Sequence, residues 1–116
     1  MPDSTPPRRQ RGKLPVGVAV VHGASMLPTY AEGDRLLVRY GATVGPGDVV
    51  IAQLPDGPSG KRPLGVKRLT RWEWGKAWLA SDNPGQGTDS SVFGALPPEK
   101  IIGKVVRRLP RKQSGA

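Results

Sequence analysis

Residues 64–80 read Leu-Gly-Val-Lys-Arg-Leu-Thr-Arg-Trp-Glu-Trp-Gly-Lys-Ala-Trp-Leu-Ala. Leu64 to Trp72 has the valine, leucine, threonine and tryptophan content of a strand. Glu73-Trp74-Gly75-Lys76 reads as a hairpin turn, and Ala77-Trp78-Leu79-Ala80 as the returning strand. On a strand, Gly65, Lys67 and Leu69 share one face, while Val66, Arg68 and Thr70 share the other. Lys67 can then enter an apolar groove while Arg68 stays in water, its like charge further disfavouring the ammonium form.

The same alternation of short apolar runs and turn residues extends outward. Val49-Val50-Ile51-Ala52 reads as a buried strand after the turn Gly45-Pro46-Gly47-Asp48. Arg35 to Tyr40 is a strand after the turn at Gly33-Asp34, and the valine-rich run Leu14 to Val21 is another. Residues 55–63 and 81–91 read as loops, and Ile101 to Val106 as the last strand. No segment of ten residues or more has helical periodicity. The expected fold is all-β with little or no helix: a small sandwich or partial barrel of short strands.

The 116 residues suffice for one domain. Glycine (16) and proline (13) make up a quarter of the chain, but they lie between apolar runs and so mark turns. There is no cysteine, which excludes a disulfide, a thiolate nucleophile and a zinc–thiolate site, and the single histidine excludes a histidine-rich metal centre. No metal or cofactor is expected. The net charge is +9. It comes from the ends: Arg8, Arg9, Arg11 and Lys13 against Asp3, and Lys104, Arg107, Arg108, Arg111 and Lys112 with no acid. Residues 1–13 are expected as a disordered basic arm, 14–110 as the folded domain and 111–116 as a disordered basic tail. No apolar run approaches the roughly 20 residues of a membrane span. Arg8-Arg9 resembles a twin-arginine signal, but the apolar run Val16 to Val21 is shorter than the roughly 7–15 residues such signals need. A cytoplasmic protein with no integral membrane segment is expected.

Residues 23–29, Gly-Ala-Ser-Met-Leu-Pro-Thr, place Ser25 in a turn just after a strand. Backbone N–H groups there can converge on one point, as an oxyanion hole requires. Met26 and Leu27 are expected to anchor the turn, and Pro28 to stiffen it. A serine in a turn and a lysine that can be desolvated are the parts of a Ser-Lys hydrolase, in which neutral lysine takes the hydroxyl proton. The ordinary lysine pKa, about 10.4, must fall by roughly two units or more for this. His22 lies too close to Ser25 along the chain for a base and is expected to cap the strand or line the groove.

Four boxes carry a family resemblance. Ser25-Met26-x-Pro28-Thr29, with Gly33-Asp34 after it, is similar to the nucleophile box of the type I signal peptidase family. Gly47-Asp48-Val49-Val50 resembles the strand that follows. Val66-Lys67-Arg68-Leu69 resembles the general-base box. Ser81-Asp82-Asn83, Asp89-Ser90, Phe93-Gly94, Pro98-Glu99 and Ile102-Gly103-Lys104 resemble the last box. In the family's order these cover about residues 17–106. The resemblance implies a small signal-peptidase-like catalytic β-domain over residues 14–110, with Ser25 as nucleophile and Lys67 as base. Gly23, Ala24, Met26, Gly65 and Val66 would form the oxyanion site and substrate groove, with Asp82, Asn83, Thr88, Asp89 and Ser90 as the supporting loop. Gly23 stands where some members have a serine, so oxyanion binding rests mainly on the Ser25 N–H. Gly87 stands where some members have a serine that orients the lysine, leaving Thr88 or Ser90 as candidates. Ser91 replaces an arginine that often follows Asp-Ser, so Asp89 lacks that partner.

A short, basic chain of this kind is similar to the nickel-type superoxide dismutase maturation peptidases. That implies a precursor protein with an extended N-terminal leader as substrate, bound as a strand. The basic ends leave open weak peripheral contact with anionic surfaces. The competing reading, a nucleic-acid-binding β-domain, needs aromatics beside the cations. Trp72, Trp74 and Trp78 lie mid-chain and are expected in core or cross-strand packing, so no specific nucleic acid is expected. A self-cleaving repressor-type peptidase would need an internal Ala-Gly or Cys-Gly site, and neither pair occurs.

Overall fold

A computed structural model describes residues 15–60, 62 and 64–110. The basic arm and tail expected from the sequence, and Leu14, lie outside the described residues.

Six strands form among the described residues: β1 (Val16–Val20), β2 (Arg35–Tyr40), β3 (Val49–Gln53), β4 (Leu64–Glu73), β5 (Lys76–Ala80) and β6 (Ile101–Arg108). They make one sheet in the order β1-β2-β6-β3-β4-β5, with every pair antiparallel. The two end strands do not pair, so the sheet stays open. Among the described residues, helix is confined to α1 (Ser90–Phe93) and a single 3-10 turn at Pro98–Lys100. The all-β expectation with almost no helix is what the molecule has. The stretch expected as loop to residue 91 ends instead at Ser90, where Asp89 caps α1 by accepting from the Ser91 N–H.

β3 explains how one sheet makes a core. Val49 and Ile51 pack on one face with Val21, Met26, Leu36, Val38 and Val105. Val50 and Ala52 pack on the other with Leu54, Leu69, Ala77, Leu79 and Leu96. A run of four apolar residues rather than an alternating one is the signature of a strand covered on both sides. Lys67 lies directly opposite Val50 in the β3–β4 ladder and so faces the second cluster.

The β4–β5 hairpin forms at the expected place. Trp74 (φ 50°) and Gly75 (φ 78°) both take the left-handed conformation of a tight two-residue turn. The tryptophans depart from the expected core role. Trp74 is 100% exposed at the turn and Trp72 is also exposed. Trp78 does pack across the strands, with the Arg71 guanidinium 4.3 Å from its ring centre. A turn tip leaves a side chain nothing to pack against, whatever its size.

Candidate active site

Ser25 sits in the turn that follows β1. Met26, 1% exposed, pins that turn to the first core cluster. The Tyr30 N–H donates to Met26 O at 2.9 Å and closes the turn. Leu27, expected as a second anchor, is exposed. Within the described residues neither Ser25 Oγ nor the Ser25 N–H has a hydrogen-bond partner. The Gly23 N–H is taken by Glu32 Oε1 at 3.0 Å. Of these two N–H groups, only that of Ser25 is left for an oxyanion.

Lys67 is 4% exposed on the buried face of β4. Burial among apolar side chains pushes its pKa below the ordinary lysine value, and the Asp89 carboxylate partly opposes the shift. Arg68 does not contribute as expected. Its guanidinium is forked onto Asp82, with Nε to Oδ1 at 2.9 Å and Nη2 to Oδ2 at 2.7 Å, which neutralises the charge expected to repel the ammonium. The same pairing holds the Asp82 carboxyl below its usual pKa.

The loop after β5 joins the two halves. The Asn83 N–H donates to Ser25 O at 2.8 Å, and Asn83 Nδ2 donates to Ala24 O at 2.9 Å. Asp82 accepts from Thr29 Oγ1 at 2.6 Å while it holds Arg68. Neighbouring residues of one loop thus grip the serine turn and the lysine strand together. Gly87, at φ +73°, completes the approach. A Cβ built on it would lie 3.0 Å from Ser25 Cβ, 3.6 Å from Ser25 Oγ and 3.4 Å from Lys67 Nζ. Only glycine suits both that conformation and that gap.

A groove of about 240 Å³ is lined by Ser25, Lys67, His22, Met26, Gly65, Val66, Gly87 and Thr88, among others. Gly23 and Ala24, expected in the groove, are not among its lining residues. Their backbone is turned to Glu32 and Asn83 instead. Of the residues expected to hold the lysine, neither serves. Thr88 lines the groove, and the buried Ser90 spends its Oγ accepting from the Leu79 N–H at 2.8 Å. Asp89, without an arginine, accepts from the Ser81 and Ser91 N–H groups and from Ser91 Oγ.

The residue that the sequence reading missed is Ser81. Lys67 Nζ donates to Ser81 Oγ at 3.0 Å, not to Ser25. The cause is the register of the hairpin. Trp72 pairs with Ala77 and Arg71 with Trp78, but a bulge at Thr70 shifts the ladder so that Arg68 meets Ala80. One step further, Lys67 falls opposite Ser81. Without the bulge it would fall opposite Asp82, whose carboxylate would hold it charged.

One family match and three relatives among known proteins bear on this site. Residues 4–106 match the family described as Peptidase S24-like. The chain is 32% identical over 113 residues to the mitochondrial inner membrane protease subunit 1 of Xenopus tropicalis, covering 79% of this chain and 68% of that one. It is 36% identical over 114 residues to the mitochondrial ATP-independent inner membrane protease subunit 1a of Arabidopsis thaliana, covering 77% and 67%. The human mitochondrial inner membrane protease subunit 1 is 30% identical over 110 residues, covering 77% and 66%.

Proposed function

Because this chain belongs to the Peptidase S24-like family, we propose that it is a signal-peptidase-like serine endopeptidase that cuts with a Ser25–Lys67 dyad. The observation that carries this reading is Lys67, a residue 4% exposed and with its pKa lowered, whose amine reaches the same small gap under Gly87 as a serine hydroxyl with no partner among the described residues.

Ser25 Oγ attacks the scissile carbonyl carbon and its proton passes to neutral Lys67. The Ser25 N–H faces the developing oxyanion. When the carbon–nitrogen bond breaks, the Lys67 ammonium returns the proton to the leaving amine. A water molecule then gives a proton to Lys67 and attacks the ester carbonyl; the carbon–Oγ bond breaks, the Lys67 ammonium returns the proton to Ser25 Oγ, and the new carboxyl group loses its own proton to solvent as a carboxylate.

Ser81 sets the aim of the base. A lysine has four rotatable side-chain bonds, and the one hydrogen bond of its amine among the described residues, to Ser81, fixes where the nitrogen lone pair points. Ser81→Ala should lower kcat by roughly tenfold and leave KM nearly unchanged. The hydroxyl also solvates the ammonium, so its loss should move the acid limb of the pH–rate profile to lower pH. Ser81→Thr should restore both. A Ser81→Ala enzyme with wild-type kcat and an unmoved acid limb would remove this role.

The substrate of this reading is a precursor protein with an extended N-terminal leader, cut in the cytoplasm. The narrower choice is a nickel-type superoxide dismutase precursor, which rests on the resemblance of the sequence boxes. Incubating that precursor with the enzyme and reading the new N-terminus by mass spectrometry tests it. A single cut that removes the leader is expected, and an untouched precursor would discard this substrate while leaving the dyad standing.

A further inference from the structure

The catalytic groove adjoins a second cavity of about 770 Å³, whose lining includes Gln53, Leu54, Asp56, Arg62, Leu64 and Lys100. Leu54, Arg62 and Leu64 line both spaces, so Arg62 stands at their junction. Its guanidinium is fixed from three sides. Nη1 donates to Pro55 O at 3.1 Å. The Phe93 ring lies beneath it, with the centroid 5.8 Å away. Gly57 approaches so closely that a Cβ there would lie 2.9 Å from Arg62 Nε.

None of these contacts neutralises the charge. Among the described residues Arg62 has no carboxylate partner, and neither has Lys100 on the cavity wall. Arginine presents five N–H donors, and Pro55 occupies one. A guanidinium held in place with its fork unfilled, at the edge of a cavity whose described lining carries two cations and one acid, suits a carboxylate.

We propose that this cavity is a substrate subsite for an acidic side chain, read by Arg62 with Lys100 beside it. The inference rests on the peptidase reading. A peptide extended past Ser25 and across Leu54 and Leu64 brings a residue a few positions from the cut into the cavity. There Asp or Glu meets the guanidinium, while Lys or Arg meets like charge.

A synthetic library of 12-residue peptides, digested by the full-length enzyme and analysed by mass spectrometry, tests this. The wild type should cut peptides with Asp or Glu enriched at one fixed position relative to the scissile bond. Arg62→Glu should lower kcat/KM for such a peptide by about 10-fold or more, the worth of one charge-assisted hydrogen bond. It should also restore cleavage when that peptide residue is changed to Lys. Lys100→Glu, at an exposed position, should shift the preference in the same direction and serves if Arg62→Glu does not fold. Cleavage with no acidic preference, or a preference that neither variant moves, overturns the subsite and leaves the dyad intact. No cleavage of any peptide overturns both.

Discussion

Lys67→Met should abolish cleavage and leave the domain folded. Methionine fills nearly the same space in the apolar pocket opposite Val50 but cannot take a proton. Removing the group that activates a nucleophile costs on the order of 10⁴-fold or more in kcat. Lys67→Arg should fail as completely, because a guanidinium does not deprotonate in a protein. In the wild type, activity should rise with pH as Lys67 becomes neutral, with a midpoint below the ordinary lysine value of about 10.4, since burial lowers the pKa.

The same shift fixes a stability prediction. A lysine whose pKa is lower folded than unfolded opposes folding while it is charged. That penalty is complete below the folded pKa, declines as pH rises through it, and is gone above the unfolded value. Lys67→Met should therefore unfold at a higher urea concentration than wild type, most clearly at acidic pH. An inactive but destabilised variant would point to a structural lysine; one that is inactive and stabilised is what a buried base predicts.

Ser25→Ala should be the other near-complete loss, by a factor on the order of 10⁶ in kcat, with peptide binding retained. The hydroxyl makes no hydrogen bond within the described residues, so its removal leaves no partner stranded and the unfolding midpoint should hardly move. Residual cleavage within tenfold of wild type would mean that another group attacks.

The strands were legible because burial writes a period into the sequence. The four-residue run Val49–Ala52 announced a strand covered on both faces, and β2 and the β4–β5 hairpin lie where turn residues bound them. Sheet order was not legible. β6 is last in the chain yet inserts between β2 and β3, in pairings across roughly fifty to seventy residues that no local pattern encodes. The site divides in the same way. Ser25 and Lys67 stood out because a serine in a Gly/Pro turn and a lysine in an apolar run are locally odd. Ser81 did not stand out, because its role depends on a single bulge at Thr70. The Arg68–Asp82 fork hid for a related reason: it joins β4 to the loop after β5 through side chains whose spacing along the chain carries no signal.

The central claim is that Ser25 forms a covalent acyl-enzyme with Lys67 as its base. Its most direct test is acid quenching during turnover of an activated peptide ester, for which acylation outruns deacylation, followed by mass mapping of the protein. The account predicts an acyl adduct on the peptide containing Ser25 in the wild type, and none in Ser25→Ala or Lys67→Met. Turnover with no adduct on Ser25, or an adduct on any other residue, would contradict it.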